Sequence, residues 1–446
     1  MSLPPGPRLP ASLQTLAWVL RPAALMEHCR REYGDVFTLR LGPSRVVMIA
    51  DPELVKPVMQ GDPATLRMGD INGLFRPILG PSGLLLADGP EHMRQRKLML
   101  PAFHGERMRG YGEAMTRIAE REVSTWPAGE PFALLPRMQS ITVDVILETV
   151  FGASDPRLRS LVVELLHRCQ SYSTMLPQLR RDLGGRSPWA RLMRCLAQVD
   201  RLIYAEIAQR RSGRARRGDD VLSMLLEATV EDGAPMTDAE LRDALLTLLV
   251  AGHATTASAL AFCFERLLRH PDALARLTDE LPGGGSDYLD AVIKETLRLR
   301  PVLPIVARKT TEPFALGPWD IPARSVLMPS IYLLHRHPGH WPEPEAFRPE
   351  RFLGPAPSPY AFMPFGGGVR RCLGASFAQF EMRVVLRTVL TRVVLAVEPR
   401  DVGVVRRSYT CAPGRGAEAV VIRRLPQRRR FRRQAGVPAA ASPAAR

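Results

Sequence analysis

The stretch 237–270 constrains this fold more than any other part of the chain. Thr237-Asp238-Ala239-Glu240 has the form of a capping box, in which a hydroxyl and a carboxylate satisfy free amides at a helix start. Helical periodicity then continues to His270-Pro271, a span of about 34 residues, or roughly 50 Å at 1.5 Å per residue. A rod of that length crosses the whole of a 446-residue molecule, so the rest of the chain must pack around it. Its middle, Leu248-Leu249-Val250-Ala251-Gly252-His253-Ala254-Thr255-Thr256, is apolar on all sides and then turns small and hydroxylated. Glycine inside a helix costs about 1 kcal/mol relative to alanine, so Gly252 needs a packing or ligand reason. Two readings stay open. One is a second helix packed close, with Thr255 bonded back to the carbonyl of Ala251; the other is a flat ligand pressed against Ala251 and Gly252.

The remaining pattern is mostly helical. Val36-Phe37-Thr38-Leu39-Arg40-Leu41 and Arg45-Val46-Val47-Met48-Ile49, joined by Gly42-Pro43-Ser44, read as a β-hairpin. Asp51-Pro52-Glu53 starts a helix, with Asp as cap and Pro at the first helical position. Helices are expected over 90–100, 106–125, 137–151, 157–176, 189–211 and 287–299. The glycine-punctuated run 67–89 reads as one long loop, of a length usually kept for binding. No long low-complexity linker divides the chain, and no repeat is apparent.

Cys372 sits in Phe365-Gly366-Gly367-Gly368-Val369-Arg370-Arg371-Cys372-Leu373-Gly374, just before a helix expected from Ala375 to about Val394. A lone cysteine is usually an inert apolar filler. Here the glycines allow close approach to a flat ligand and positive φ, and a helix N-terminus supplies free amides that stabilise a thiolate. The loop is expected to build an anion site around sulfur.

The spacing Phe-x-x-Gly-x-Arg-x-Cys-x-Gly, carried by Phe365, Gly368, Arg370, Cys372 and Gly374, resembles the heme-ligand loop of the cytochrome P450 family, the heme-thiolate monooxygenases. The resemblance runs over about 33–421. It implies that Cys372 is the proximal ligand of heme b (iron protoporphyrin IX), and that Ala251, Gly252 and Thr255 shape an oxygen pocket. The 251–256 segment resembles the family's oxygen-binding motif except at Ala254, where the family carries an acid that helps bring in protons. His253 stands next to it but points about 100° away on a helix, which makes it a packing residue rather than a substitute acid. Glu295 and Arg298, with Arg351 in Pro349-Glu350-Arg351-Phe352, match the family's structural ion network. Four further matches, His92, Arg96, Arg308 and Arg370, are implied as partners of the heme propionates. Arg94, Lys97, Arg107, Arg109 and Arg371 are read as a basic face near the thiolate for an acidic electron carrier.

The fold expected is mainly α with small β-sheets, the cytochrome P450 fold, in one large domain over 35–422. A proline-rich segment, 1–34, precedes it and a basic tail, 423–446, follows. Six cysteines without a C-x-x-C pair indicate neither a zinc site nor a disulfide framework, which fits a reducing cytoplasm. No charged-then-apolar leader opens the sequence, and the apolar run 16–20 is too short to span a bilayer, so a soluble, cytoplasmic monomer is expected. Net charge is +16, and half of the excess lies in the tail, with eight arginines and no acid from Arg423 onward. That tail reads as a solvated segment or as a weak contact for a membrane surface, with Phe431 as an anchor; no nucleic-acid partner is expected.

The resemblance implies insertion of one oxygen atom from O2 into a hydrophobic small molecule, with electrons from a separate ferredoxin and ferredoxin reductase. Two rivals stand beside it: a peroxide-driven peroxygenase or isomerase, prompted by Ala254, and a non-catalytic heme-binding sensor. The substrate pocket is expected from 67–89, 172–189, 301–306 and the turn near Tyr409 and Thr410, with Met68, Phe75, Leu84, Met175, Leu303 and Ile305 as apolar lining.

Overall fold

The computed structural model of the protein describes residues 3–426, apart from 104, 106, 153–154, 172–176, 183, 215–217, 230–234, 398–402 and 408. Helices of seven residues or more are α1 (Ala11–Leu20), α2 (Pro22–Tyr33), α3 (Pro52–Gln60), α4 (Gly89–Met99), α5 (Arg107–Ser124), α6 (Leu134–Phe151), α7 (Pro156–Cys169), α8 (Pro188–Arg211), α9 (Val221–Glu227), α10 (Asp238–Leu268), α11 (Pro271–Glu280), α12 (Asp287–Leu299) and α13 (Ala375–Leu390). Strands are short: β1 (Val36–Leu41), β2 (Ser44–Ile49), β3 (Leu66–Arg67), β4 (Pro131–Ala133), β5 (Arg308–Thr310), β6 (Phe314–Leu316), β7 (Trp319–Ile321), β8 (Val326–Pro329), β9 (Val393–Ala396), β10 (Val404–Arg407), β11 (Thr410–Pro413) and β12 (Glu418–Arg424).

The long rod is α10. Its capping box forms, with the Glu240 amide donating to Thr237 Oγ1 at 3.2 Å and the Thr237 amide donating to Glu240 at 2.8 Å. Among the described residues it is the one helix long and apolar enough to cross a membrane, yet most of its apolar stretch is buried inside the protein. Helix α6 packs along it. A Cβ on Gly252 would lie 3.2 Å from Ile146 Cδ1, and Thr142 Oγ1 donates to the His253 carbonyl at 3.3 Å. Close helix packing therefore accounts for Gly252, and Thr255 Oγ1 donates to the Ala251 carbonyl at 2.7 Å.

Helices α5, α6, α7, α8, α10, α12 and α13 share one large apolar core. Two smaller clusters lie on the sheet ordered β1-β2-β8-β5-β3. In that sheet the expected hairpin pairs Val36 with Ile49 through Leu41 with Ser44, and β2 runs parallel to β8. Asp51 caps α3 by accepting from the Glu53 amide at 2.8 Å. The remaining strands form a β4-β12-β9 sheet and two hairpins, β6-β7 and β10-β11.

One expectation changes. The run 67–89 is not a plain loop: one-turn helices form at Gly69–Asn72 and Arg76–Leu79, with a 3-10 turn at Gly73–Phe75 between them. The opening segment is also folded, because the Thr38 amide donates to the Pro5 carbonyl at 2.8 Å and α1 packs on β1. Met175 and residues 427–446, Phe431 among them, lie outside the described residues.

Removing the capping hydroxyl by Thr237→Ala is expected to cost about 1 kcal/mol, read as an earlier midpoint in urea; an unchanged midpoint would contradict the role given to this cap.

Candidate functional site

The Cys372 loop is tied to itself by three backbone bonds. The Gly366 amide donates to Met363 O at 2.9 Å, the Arg371 amide to Gly368 O at 3.0 Å, and the Cys372 amide to Phe365 O at 2.9 Å. Gly366 and Gly368 have φ of 69° and 63°, and a Cβ on Gly368 would sit 1.8 Å from the Met59 carbonyl oxygen. Gly368 is thus required by α3 as well as by its own backbone. Gly374 has an ordinary φ and no protein atom where a Cβ would point, which leaves room for a flat group beside Cys372.

Cys372 keeps accessible surface, yet burial raises its thiol pKa. Both hold for a sulfur in a concavity rather than on the outer surface. The Gly374 amide, Arg96 and Arg371 pull the other way, as expected of an anion site. Desolvation outweighs them, and a cation beside the sulfur would favour the thiolate.

In α10, buried along most of its length, Ala251 is exposed while Gly252 and Thr255 are half-buried. Ala251 and Thr255, at i and i+4, share one face with Gly252 at its edge, and only here does the helix open mid-length. Ala254 and His253 are buried. Burial pushes His253 down to about 4, so it is neutral near pH 7 and does not replace the acid missing at Ala254.

A neutral histidine and three arginines converge from separate elements. His92 of α4 is buried, its Nδ1 lacks a partner, and burial together with Arg370, Arg96 and Arg308 lowers it to about 4. Arg308 is buried, donates to the Ala307 carbonyl at 2.9 Å and lies near the sulfurs of Met68 and Met59. Burial, then Arg370, brings it down to about 10. Arg96 donates to the Arg371 carbonyl at 2.8 Å. Among the described residues the one carboxylate engaged is Asp88, which pairs with Arg370 and accepts from the Met68 and Gly69 amides at 3.0 and 2.9 Å. An interior with this excess of positive charge calls for an anionic partner.

Behind the loop, Glu295 and Arg298 are fully buried and bidentate, at 2.7 and 2.9 Å. Arg351 Nε donates to Glu295 at 3.1 Å, and the Arg348 amide does so at 2.8 Å. Arg298 also donates to the carbonyls of His335, Pro344 and Ala346 at 2.8, 2.7 and 3.0 Å. His335 extends this network. Its Nε2 accepts from the Met363 amide at 3.0 Å, so the proton sits on Nδ1 and is shared with the Arg298 carbonyl at 3.2 Å. Met363 is the residue whose carbonyl anchors Gly366.

A family model described as Cytochrome P450 matches residues 4–404. The chain belongs to the cytochrome P450 family. A Mycobacterium tuberculosis protein provisionally named cytochrome P450 135B1 is 44% identical over 409 residues, covering 89% of this chain and 86% of that protein. Another from the same species, provisionally named cytochrome P450 138, is 39% identical and covers 95% of this chain and 97% of its own. The retinoic-acid-bound cyanobacterial CYP120A1 structure superposes with a TM-score of 0.82 at 25% identity, covering 95% of this chain and 100% of that one. The cytochrome P450DA heme domain gives 0.82 at 27%, covering 94% and 97%.

Members of the cytochrome P450 family are generally monooxygenases that bind heme b through a cysteine thiolate. The residues present fit that group. An unpartnered His92 Nδ1 and an Arg308 without a carboxylate suit two propionates, and the open side of Gly374 suits a porphyrin plane.

One expectation fails in this cytochrome P450. Arg94 is held by Glu91 at 3.0 Å and by Glu240, so it is no free part of a basic face, whereas Arg109 and Arg371 remain exposed. Ile305 is half-buried and packs against the β1-β2 cluster with part of its surface. Asp88 and His335 were missed, since their partners lie far away in sequence.

Replacing Glu295 by Gln leaves Arg298 and Arg351 without their shared counter-charge and is expected to cost about 3–5 kcal/mol, measured by chemical denaturation; a loss below about 1 kcal/mol would contradict the buried network. His253 and His335 are held at about 4 and about 3 against an ordinary 6.5, so between these values the unfolded chain binds protons that the native chain does not. Stability is full above about pH 6.5 and falls as pH drops toward 4; a His335→Gln variant should flatten that slope.

Proposed function

We propose that the chain is a heme-thiolate monooxygenase acting on a hydrophobic small molecule. Cys372 would bond the iron, with Phe365, Gly368 and Gly374 shaping the proximal loop. His92, Arg96, Arg308 and Arg370 would take the propionates, while Glu295, Arg298 and Arg351 hold the core behind the loop. Ala251, Gly252 and Thr255 would face the other side. The observation that carries this reading is the convergence of a concave, desolvated Cys372 with an arginine cluster that Asp88 compensates only in part. When bound, heme supplies the redox chemistry that splits O2: one oxygen atom enters a C–H or C=C bond, and the other leaves as water with two electrons and two protons.

The chain's own part is to place substrate and move protons. Thr255 spends its hydroxyl proton on the Ala251 carbonyl, which leaves its oxygen lone pairs to accept from a water on the open face of α10. Phe75 and Tyr409 stack edge to face at 5.4 Å and Leu84 is buried, which supports apolar walls for the substrate. The neighbour solved with retinoic acid supports a hydrophobic substrate class. Electrons would come from a ferredoxin and its reductase, reaching a cleft of about 380 Å³ lined by Lys294, Tyr360, Phe365, Gly367 and Arg371. The setting would be cytoplasmic, and the protein a monomer.

The second reading, peroxide-driven oxygenation, is favoured by one observation: Ala254 provides no acid, and the adjacent His253 is buried and neutral. Turnover of a substrate that binds the purified protein separates the two. The monooxygenase reading expects product with a ferredoxin system and O2 to exceed product with peroxide alone, and the reverse order would overturn it. Thr255→Ala is expected to cut product by about tenfold or more while electron uptake continues, measured as product formed per electron consumed.

A further inference from the structure

Helix α1 is inside out for a helix in water. Two of its polar residues, Gln14 and Thr15, face the protein, while Ser12 is exposed. Gln14 is buried, donates to the Pro7 and Leu9 carbonyls at 3.1 and 2.8 Å, and accepts from the Arg40 amide at 2.8 Å. Thr15 Oγ1 accepts from the Gly42 amide at 2.8 Å. Its leucines and Val19 face outward, while Trp18 packs against the β1-β2 cluster. Leu13, Leu16 and Leu20 recur at i, i+3 and i+7, Val19 lies beside them and Leu9 just before, and each is more than half exposed. A soluble surface scatters such residues singly; here they form one ridge.

The charge around the ridge has one sign. Residues 1–26 contain Arg8 and Arg21 and no Asp or Glu, and the hairpin 36–49 contains Arg40 and Arg45 and no Asp or Glu. All four arginines are exposed. Of the acids that follow on α2 and its end, Glu27 takes the Tyr332 hydroxyl and Asp35 takes Arg30 and His337, while Glu32 is exposed.

We propose that this ridge docks the protein on an anionic lipid bilayer. The leucines and Val19 enter the boundary between headgroups and acyl chains, and Arg8, Arg21, Arg40 and Arg45 meet the headgroup phosphates. A convex single-helix ridge suits a fluid layer that closes around it. A second copy does not suit it, because a two-fold contact would set these arginines against their own equivalents. The surface is distinct from the arginine-rich stretch 427–446.

Flotation of the full-length protein with vesicles tests this. Binding is expected to phosphatidylcholine vesicles containing about a third phosphatidylglycerol, and little to phosphatidylcholine alone. The double variant Leu13→Ser, Leu16→Ser should lower partitioning by about tenfold or more, with an unchanged melting curve. If that variant does not fold, Val19→Gln with Leu20→Gln makes the same comparison. Arg8→Gln with Arg40→Gln should weaken binding and reduce its salt dependence. Three results would overturn the proposal: no binding to either vesicle, leucine variants that bind as the parent does, or a concentration-dependent dimer that the leucine changes abolish.

Discussion

A fully buried carboxylate holds the segment behind the Cys372 loop in place. Glu295 is fully buried and accepts from two guanidinium groups and one backbone amide, so its charge is met on every side. Arg298 spends its remaining donors on carbonyls of the segment 335–346, and His335 passes the constraint to Met363. From Met363 the backbone bonds run to Gly366, and from Phe365 to Cys372. The sulfur's position is therefore set by a buried ion pair several bonds away. Such a network adds little net stability compared with apolar packing; its value is that few other arrangements satisfy all of its members.

The distal side is fixed differently. Helix α10 owes its place to apolar contact along its length, and its open face exists because three small or hydroxylated residues interrupt that contact. Gly252 shows two demands meeting at one residue: Ile146 of α6 limits what can replace it on one side, while the helix stays accessible there on the other. The cationic cluster follows a third rule. Arg370 satisfies itself on Asp88, but among the described residues Arg308 has no carboxylate partner and the neutral His92 beside it leaves Nδ1 unpaired. Buried polar groups left so are costly, and this places the ligand's charge before any ligand is considered.

Much of this was legible in the sequence because local chemistry wrote it there. The capping box at Thr237, the Asp51-Pro52 helix start and the Gly42-Pro43 turn all act within a few residues, and each forms as read. The ion network and the cysteine loop were legible only through resemblance, since Arg351 is brought to Glu295 from 56 residues away. Asp88 and His335 escaped for the same reason, with partners that only the folded chain brings near. The turns in 69–79 escaped because one turn of helix leaves no periodicity to read. The state of Cys372 could not be read at all, because it depends on how desolvation balances nearby charge.

That balance makes one measurement decisive. The purified heme-loaded protein, reduced and exposed to carbon monoxide, is expected to show the red-shifted Soret band of thiolate ligation, and a Cys372→Ser variant to lose it. Heme bound without that band, or a band that survives in the serine variant, would contradict the assignment of Cys372 as the iron's ligand.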